Sequence, residues 1–328
     1  MMETRVVTIP PHVRELMERQ GYKFVLNHSA VKPCYWFREA LMRGRTCYKH
    51  KFFGITTWSC LQMTPTASFC NLQCLYCWRL NASDLPPEHR WKEIPEEGAT
   101  WDDPEAIASE SIRIQRMLVQ GYKGVRVFRE DWLREAENPR HAAISLTGEP
   151  LLYPHIGGLV EAYSRRGMTT FIVTNGTLPE RLENIEREPT QLYVTVPAYN
   201  EKLYKQITRP LIVDAWQRLN RTLELVSSLS CPTVMRITTI RGMNMQHPED
   251  WAKLINKYEP TYVEPKAYMY VGYSRRRLSR DCMPSHEEVK KFAEELAEHT
   301  GYRILSEVPE SRVVLLSRLE KPIRFDVR

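Results

Sequence analysis

After residue 60 the chain repeatedly alternates short segments rich in β-branched residues with longer helical segments. The candidate strands lie at residues 66–69, 142–146, 170–174, 192–196, 233–239 and 261–268, and the candidate helices at 104–120, 154–166, 178–186, 214–228 and 248–258. Because strand–helix–strand units form parallel sheets with right-handed crossovers, this alternation predicts an α/β fold. Six units suit a partial (β/α)6 TIM-like barrel with its chemistry at the carboxyl ends of the strands. A doubly wound open sheet is the alternative.

The two ends of the chain differ from this repeated centre. We interpret residues 1–62 as an N-terminal extension with one short amphipathic helix at 11–20, too short to fold alone. We predict the barrel core at 63–284 and a C-terminal segment at 285–328, with a helix at 285–299 and strands at 302–305 and 312–316. With 328 residues, of which 42% are hydrophobic, the chain can bury a large core without crosslinks.

Three cysteines follow the first predicted strand in the sequence CNLQCLYC. Cys70, Cys74 and Cys77 form a C-x3-C-x2-C array. Three thiolates can hold a cubane iron–sulfur cluster and leave one iron without a protein ligand, which is the open position that a catalytic centre needs. Zinc is the alternative, although structural zinc sites more often contain two C-x2-C pairs.

A second set of cysteines precedes the first. Cys34, Cys47 and Cys60 form a C-x12-C-x12-C array, so the two triplets predict two clusters with three protein thiolates each. One alternative is an electron-transfer centre with four cysteine ligands that includes Cys60. Another is a zinc site built from Cys34, Cys47 and His50.

The net charge of +6 is confined to the start of the chain. Residues 1–60 contain ten Lys or Arg and four Asp or Glu, whereas the remaining residues contain equal numbers of each sign. This pattern is typical of a basic arm that meets a polyanion, or of an ordinary solvated surface. No apolar segment approaches the roughly 18 residues of a membrane span, and the first residues lack the apolar stretch of a signal peptide, so we expect a cytoplasmic protein.

The cysteine array in a repeated βα chain resembles the radical S-adenosylmethionine superfamily. The resemblance implies a barrel of that type and a [4Fe-4S] cluster whose free iron binds S-adenosyl-L-methionine. In SLTGEP, Gly148 and Glu149 match the superfamily's Gly-Gly-Glu motif for the methionyl amino group, with Thr147 in place of the first glycine. Tyr76 matches the aromatic position beside the adenine, and Thr174 and Asn175 match the contact to ribose or carboxylate.

The C-x12-C-x12-C array, the tail CWR at 77–79 and the segment EPKAYMYVGYSRRR at 264–277 are similar to the tRNA wybutosine-synthesising family, over essentially the whole chain. The resemblance implies an auxiliary [4Fe-4S] cluster held by Cys34, Cys47 and Cys60, with pyruvate as co-substrate. Eukaryotic relatives carry a flavodoxin-like domain that is lacking here, so we expect an external electron donor such as a ferredoxin or flavodoxin.

The reaction implied by the resemblance is that of a lyase that joins a two-carbon unit from pyruvate to N1-methylguanosine in phenylalanine tRNA, forming 4-demethylwyosine. An adenosyl radical takes hydrogen from the N-methyl group, and the carbon radical attacks the pyruvate carbonyl. Lys49, two residues after Cys47, falls at the family's proposed Schiff-base lysine and is the expected catalytic residue. The alternative is that Lys49 and Lys51 are ordinary basic residues of the N-terminal segment.

The densest basic run, Arg275, Arg276 and Arg277, follows the sixth predicted strand. The clusters are expected at the same end of the barrel, so we predict that these arginines bind tRNA phosphates. Local ion pairs are the alternative. Trp78, Tyr268 and Tyr273 are candidates to stack on an unstacked target base, with core packing as the alternative for each.

Two other functions are compatible with the sequence: a radical S-adenosylmethionine enzyme that acts on a different substrate, and a zinc-stabilised RNA-binding module. Brown protein with about eight irons per chain distinguishes two cubanes from zinc. We expect the chain to act as a monomer.

Overall fold

The structure is a computed structural model and describes residues 6–325. In this range the α-helices are α1 (Pro11–Arg19), α2 (Tyr35–Arg43), α3 (Tyr48–Phe53), α4 (Pro104–Gln120), α5 (Glu130–Ala136), α6 (Ile156–Ser164), α7 (Pro179–Glu183), α8 (Glu201–Thr208), α9 (Ala215–Leu225), α10 (Pro248–Tyr258) and α11 (His286–Thr300). The strands are β1 (Lys23–Val25), β2 (Ser29–Val31), β3 (Cys60–Thr64), β4 (His141–Ile144), β5 (Thr169–Thr174), β6 (Gln191–Thr195), β7 (Thr233–Thr239), β8 (Tyr262–Ala267), β9 (Arg303–Val308) and β10 (Val313–Ser317).

The strands form one sheet in the order β1-β2-β3-β4-β5-β6-β7-β8-β10-β9. Strands β3 to β8 are parallel and each pairs with the next strand in sequence. A doubly wound sheet would reverse its strand order at a switch point, whereas the order of the parallel strands β3 to β8 runs in one direction. The topology is therefore that of the expected (β/α)6 partial barrel, and the doubly wound alternative is wrong.

The two faces of the sheet carry different clusters, since alternate side chains of a strand point to opposite faces. On the outer face, Leu61, Ile144 and Ile172 pack in one large core cluster with the surrounding helices. On the inner face, Phe171 and Tyr193 pack in a cluster with residues of the short helix α3. An element of the N-terminal segment therefore fills part of the barrel interior.

The edges of the sheet are closed by antiparallel strands from the two ends of the chain. The hairpin β1–β2 pairs with β3, and β10 pairs with β8 and β9. The helix and strands predicted after residue 285 are confirmed as α11, β9 and β10. Because exposed sheet edges promote unwanted pairing, these strands protect the parallel core.

The first parallel strand differs from the prediction. It is β3 at Cys60–Thr64, and the segment predicted at 66–69 is a turn in which the Phe69 amide donates to the Thr66 carbonyl over 3.0 Å. Ser68 has φ +70°, which an extended strand does not allow. Cys60 is thus the first residue of a barrel strand, and the predicted boundary between residues 62 and 63 divides that strand.

The N-terminal segment also contains more structure than the single helix predicted at 11–20. Helices α2 and α3 and the hairpin β1–β2 follow α1 before residue 60. In the described residues, 6–325, no helix is long and apolar enough to span a membrane.

Candidate functional site

The first cysteine triplet lies in the long loop that leaves the carboxyl end of β3. The Cys70 amide donates to the Glu93 carbonyl over 2.9 Å, and the Cys77 amide donates to the Cys74 carbonyl over 3.1 Å. Burial, with the neighbouring Cys77, raises the pKa of Cys74 to about 12. Burial and the neighbouring Cys74 also raise the pKa of Cys70 well above its usual value. Thiols of this kind are ionised together only if a cationic centre neutralises them, which fits an iron–sulfur cluster.

Arg277 holds this loop together instead of facing RNA. Its side chain is only 5% exposed. Its guanidinium donates to the carbonyls of Cys74 (3.1 Å), Cys77 and Arg79 (3.1 Å), and its Nε lies 3.6 Å from a carboxylate oxygen of Asp84. All these partners belong to the cysteine loop or the chain just after it. The prediction that Arg277 binds tRNA phosphates is therefore corrected, because the group is already bound by the protein.

Gly148 and Glu149 follow β4 and contact the turn at residues 66–69, which precedes the cysteine loop. The Glu149 amide donates to the Phe69 carbonyl over 2.8 Å. The buried carboxylate accepts hydrogen bonds from the Leu151 amide (3.1 Å), the Thr174 hydroxyl (2.6 Å) and the Asn175 amide (2.7 Å). Burial raises its pKa to about 7 against these donors. The match to the superfamily motif thus has a defined geometry in which Glu149 joins the turns after β4 and β5.

Asn175 links the turn after β5 to the first cysteine. Its side-chain Nδ2 donates to Asn71 Oδ1 over 2.9 Å and lies 3.8 Å from Cys70 Sγ. Thr177 also donates to Asn71, over 3.0 Å. Tyr76 packs against the core beside the cysteines. The structure therefore brings Tyr76, Glu149, Thr174 and Asn175 together around the first triplet.

The second triplet gathers at the opposite, amino end of β3, which corrects the expectation that both clusters lie at the same end of the barrel. Cys34 and Cys47 are the N-cap residues of α2 and α3, and Cys60 begins β3. The Phe37 amide donates to Cys34 Sγ over 3.3 Å. Burial and the neighbouring Cys47 raise the pKa of Cys34 to about 11, and burial and Cys34 raise that of Cys60. These mutual effects show that thiols 13 residues apart in sequence face one another.

The spacing of the sulfur atoms separates a cubane from zinc. Tetrahedral zinc with sulfur ligands at about 2.3 Å holds them roughly 3.8 Å apart. In residues 6–325, the only three potential ligands whose donor atoms all lie within 4.8 Å of one another are His247, Glu249 and Asp250. Neither cysteine triplet, nor the set Cys34, Cys47 and His50, is drawn together to that degree. Neither triplet is therefore arranged as a compact zinc site, and three thiolates without a fourth protein ligand are the donor set of a cubane with one open iron.

Lys49 points into the barrel interior beside the second triplet. Its Nζ lies 4.2 Å from the centre of the Tyr193 ring and 4.9 Å from that of Phe171. Burial and then Arg236 lower its pKa to about 8, and Cys47 opposes this change. Since the neutral amine is the nucleophile, a lower pKa increases the fraction able to attack a carbonyl. Lys49 is thus an interior residue and not a basic residue of the surface.

The remaining residues of the predicted RNA site are divided between surface and core. Arg275 and Arg276 are exposed and lie near the Tyr270 and Tyr273 rings, at 5.9 and 4.9 Å from the ring centres. Tyr268, in contrast, is 1% exposed and packs in the core, which contradicts its candidacy for stacking on a base. Trp78 and Tyr273 are partly buried.

The sequence reasoning missed three charged residues of the barrel interior. Arg236 on β7 and Glu264 and Lys266 on β8 belong to strands whose other residues are largely apolar. Glu264 and Lys266 are two residues apart and so share the inner face. The sequence did contain a signal for these interior charges: Glu264 and Lys266 occupy alternate positions of β8, whose other residues are typical of a buried strand.

Two protein-family models match the chain. The model described as "Radical SAM superfamily" covers residues 64–255, and "Wyosine base formation" covers residues 257–318. The first covers more than half of the chain, including the first cysteine triplet and the turns after β4 and β5. The second covers β8, the arginine run and the C-terminal strands.

Relatives match over nearly the whole length. The S-adenosyl-L-methionine-dependent tRNA 4-demethylwyosine synthase of Pyrococcus horikoshii is 49% identical over 314 residues, which cover 94% of this chain and 90% of that protein. The synthase of the same name from Methanocaldococcus jannaschii is 35% identical and covers 96% of this chain and 98% of that protein. The human synthase is 34% identical, and the match spans 42% of it.

Two solved structures share the whole fold. A structure of TYW1 with a lysine–pyruvate adduct bound superposes with a TM-score of 0.85 at 32% identity, covering 97% of this chain and 99% of that one. A crystal structure of archaeal TYW1 gives 0.78 at 30% identity, with 97% and 100% covered. Together with the site geometry, these matches place the chain in the radical S-adenosylmethionine superfamily and, within it, in the family of tRNA 4-demethylwyosine synthases.

Proposed function

We propose that this chain condenses a two-carbon unit from pyruvate with N1-methylguanosine in phenylalanine tRNA to form 4-demethylwyosine. The observation that carries the proposal is Lys49, which lies in the barrel interior beside one thiol triplet, in the same barrel that holds a second triplet at the other end of β3. The identity to the Pyrococcus horikoshii synthase supports it. A carbon–carbon bond of pyruvate would be broken without hydrolysis, which makes the enzyme a lyase.

The first triplet and its surroundings would bind one [4Fe-4S] cluster and S-adenosyl-L-methionine, which together supply the 5′-deoxyadenosyl radical when bound. Glu149 is held by the donors from Leu151, Thr174 and Asn175, so its remaining lone pairs have a fixed direction for an amino group. Arg277 holds the loop carbonyls and thereby the cysteine positions. The chain's contribution here is orientation.

The second triplet would bind an auxiliary [4Fe-4S] cluster beside the pyruvate site. Lys49 would attack the keto carbon, so that a carbon–nitrogen double bond forms and the keto oxygen leaves as water. The Tyr193 and Phe171 rings hold the amine in the barrel interior and keep bulk water away from it. The solved TYW1 structure with a lysine–pyruvate adduct supports an amine in this role.

The tRNA would approach the carboxyl ends of the strands, where Arg275 and Arg276 are exposed. We propose that the enzyme, with a substrate of this kind, acts in the cytoplasm as a monomer reduced by an external donor such as a ferredoxin or flavodoxin.

Mass spectrometry of tRNA tests the proposal. Phenylalanine tRNA carrying N1-methylguanosine is incubated anaerobically with reconstituted protein, S-adenosyl-L-methionine, pyruvate and a reductant. We expect the mass of 4-demethylwyosine with the wild type and none with Cys74→Ala or Cys47→Ala. Iron should fall from about eight atoms per chain to about four in each of these variants. Unmodified N1-methylguanosine with fully loaded wild-type protein would refute the proposed substrate.

The role of Lys49 is tested by borohydride trapping with labelled pyruvate. Wild-type protein and Lys51→Ala, which alters the neighbouring lysine whose Nζ donates to the Glu307 carbonyl, should both be labelled. Lys49→Ala should not be. Equal labelling of Lys49→Ala and wild type would exclude the Schiff base at this position.

A further inference from the structure

The barrel interior contains more positive than negative charge. Arg236, Glu264 and Lys266 lie on the inner face of neighbouring strands, and Lys49 reaches the same space from α3. The Glu264 side chain is completely buried, and that of Arg236 is 15% exposed. Arg236 forms an ion pair with Glu264. Among residues 6–325, neither Lys49 nor Lys266 has an ion-pair partner, and Lys266 donates to a backbone carbonyl instead. Three cations thus face one carboxylate.

Arg236 is already committed to protein partners. Its Nε donates to Glu264 Oε1 over 2.8 Å, and its Nη2 donates to the Tyr48 hydroxyl oxygen over 2.6 Å. The Tyr48 hydroxyl in turn lies 3.4 Å from Glu264 Oε1, to which it donates. These bonds orient the guanidinium along the barrel wall, so it is a poor candidate to bind a ligand.

Lys266 is only partly satisfied. Its Nζ donates to the Ser311 carbonyl over 3.0 Å and lies 4.5 Å from the centre of the Tyr48 ring. A lysine ammonium has three donors, so this single carbonyl leaves two for another group. Burial is the main cause that lowers the pKa of Lys266 to about 8; Glu264 opposes it, and Arg236 and Lys49 add to it. Lys49 is therefore close enough to lower the pKa of Lys266.

An excess of positive charge in a partly buried space is stabilised by a bound anion. With three thiolate ligands, an oxidised cubane carries about one net negative charge. Added to Glu264, it leaves the interior with one positive charge still unbalanced. One carboxylate, as every α-keto acid carries next to its keto carbon, completes the balance.

We propose that Lys266 binds the carboxylate of the α-keto acid whose keto carbon reacts with Lys49. The inference rests on the proposed function and names a residue that sets its substrate class. Lys266 lies over the Tyr48 ring, whose hydroxyl oxygen accepts a hydrogen bond from Arg236. Arg236 and Lys49 both lie over the Tyr193 ring, so the two amines border one space in which a small ligand can meet both. Lys266 is thus a specificity residue that favours keto acids over neutral ketones and aldehydes.

The experiment compares a charged and a neutral carbonyl compound. Full-length reconstituted protein without tRNA is titrated with labelled pyruvate or labelled acetone and trapped with borohydride. In Lys266→Met, which keeps the chain length and removes the charge, the half-saturating pyruvate concentration should rise on the order of tenfold to a hundredfold. Acetone labelling should be unchanged. Lys266→Arg should recover most of the pyruvate affinity, and Lys51→Met, whose lysine donates to a carbonyl at the surface, should match the wild type.

Each outcome has one meaning. An unchanged pyruvate titration in Lys266→Met overturns the inference while the proposed function stands. An equal loss of acetone labelling also overturns it, because Lys266 would then act on the amine or the fold. Iron content and formation of 5′-deoxyadenosine show whether the variant is intact, and Lys266→Gln replaces Lys266→Met if it is not. Wild-type protein labelled by neither compound overturns the proposed use of Lys49 and this inference together.

Discussion

Gly148 couples the turn after β4 to the cysteine loop at the level of a single residue. Its φ is +70°, and a Cβ there would lie 2.0 Å from the Thr66 carbonyl oxygen and 2.5 Å from that of Phe69. Both atoms belong to the backbone of the turn at residues 66–69, which leads directly into Cys70. A side chain at this position would therefore separate Glu149 from the cluster loop.

We predict that Gly148→Ala reduces 5′-deoxyadenosine formation at least tenfold and weakens S-adenosyl-L-methionine binding, measured by equilibrium dialysis. Gly167→Ala is the matched control, since Gly167 has φ +71° but a Cβ there would meet no described atom within 4 Å. It carries a similar backbone strain of about 1 kcal/mol without the clash. Equal losses in both variants would show that strain alone is responsible.

Arg277 and Arg276 are neighbours with separate expected roles. We predict that Arg277→Ala lowers iron content and S-adenosyl-L-methionine cleavage, because the carbonyls of Cys74 and Arg79 lose a buried charged donor. Arg276→Ala, which alters an exposed residue, should leave both quantities at the wild-type level. Iron analysis and product chromatography check this, and normal iron in Arg277→Ala would contradict the structural role.

At the level of elements, α3 shows that periodic patterns of apolar residues predict long helices and strands but miss short helices. The helices at 104–120 and 248–258 and the strand at 233–239 were predicted with the bounds that the structure has, because each has a clear start and an apolar period. The six residues of α3 are too few for such a period. Its Phe52 and Phe53 are nevertheless almost completely buried in the barrel interior.

The same limit explains why β3 was placed wrongly. The segment CLQMT at Cys60–Thr64 has one β-branched residue, so its sequence alone has little strand preference. Its conformation comes from pairing with β4 on one side and β2 on the other. The consequence for function is that Cys60 is fixed by the sheet itself.

We predict that Phe53→Ala destabilises the protein by about 3–5 kcal/mol, because Phe53 is 0% exposed and its loss leaves a cavity between α3 and the sheet. Phe128→Ala, which alters a residue that is 54% exposed, should cost about 1–2 kcal/mol. Urea unfolding of anaerobic reconstituted protein measures both. Equal losses would mean that α3 does not contribute to the core.

At the scale of the whole molecule, the position of the exposed arginines relative to the two cysteine triplets decides which end of the barrel the tRNA approaches. Arg275 and Arg276 lie at the end of the barrel that carries the first triplet. We predict that replacing both with alanine weakens tRNA binding and reduces the slope of log K against log salt by about 1.5–2. Filter binding at several salt concentrations measures this slope.

The control is Arg221→Ala, since Arg221 lies on the outer helix α9 and pairs with Glu183. Its slope should equal that of the wild type. An unchanged slope in the double variant would mean that the RNA approaches by another surface.

The sequence by itself determined the two cysteine triplets, the Gly148–Glu149 turn, Lys49 and the alternation that makes the barrel, because each is a local pattern of residue types and spacings. Only the tertiary structure decided that Arg277 holds the cysteine loop, that Tyr268 is core, and that Arg236, Glu264 and Lys266 face Lys49. The physical reason is that a charge is defined by its partners, and these partners lie up to some 200 residues away in sequence. The roles of Arg277 and of the pair Glu264 and Lys266 therefore depend on contacts that form only when the chain folds.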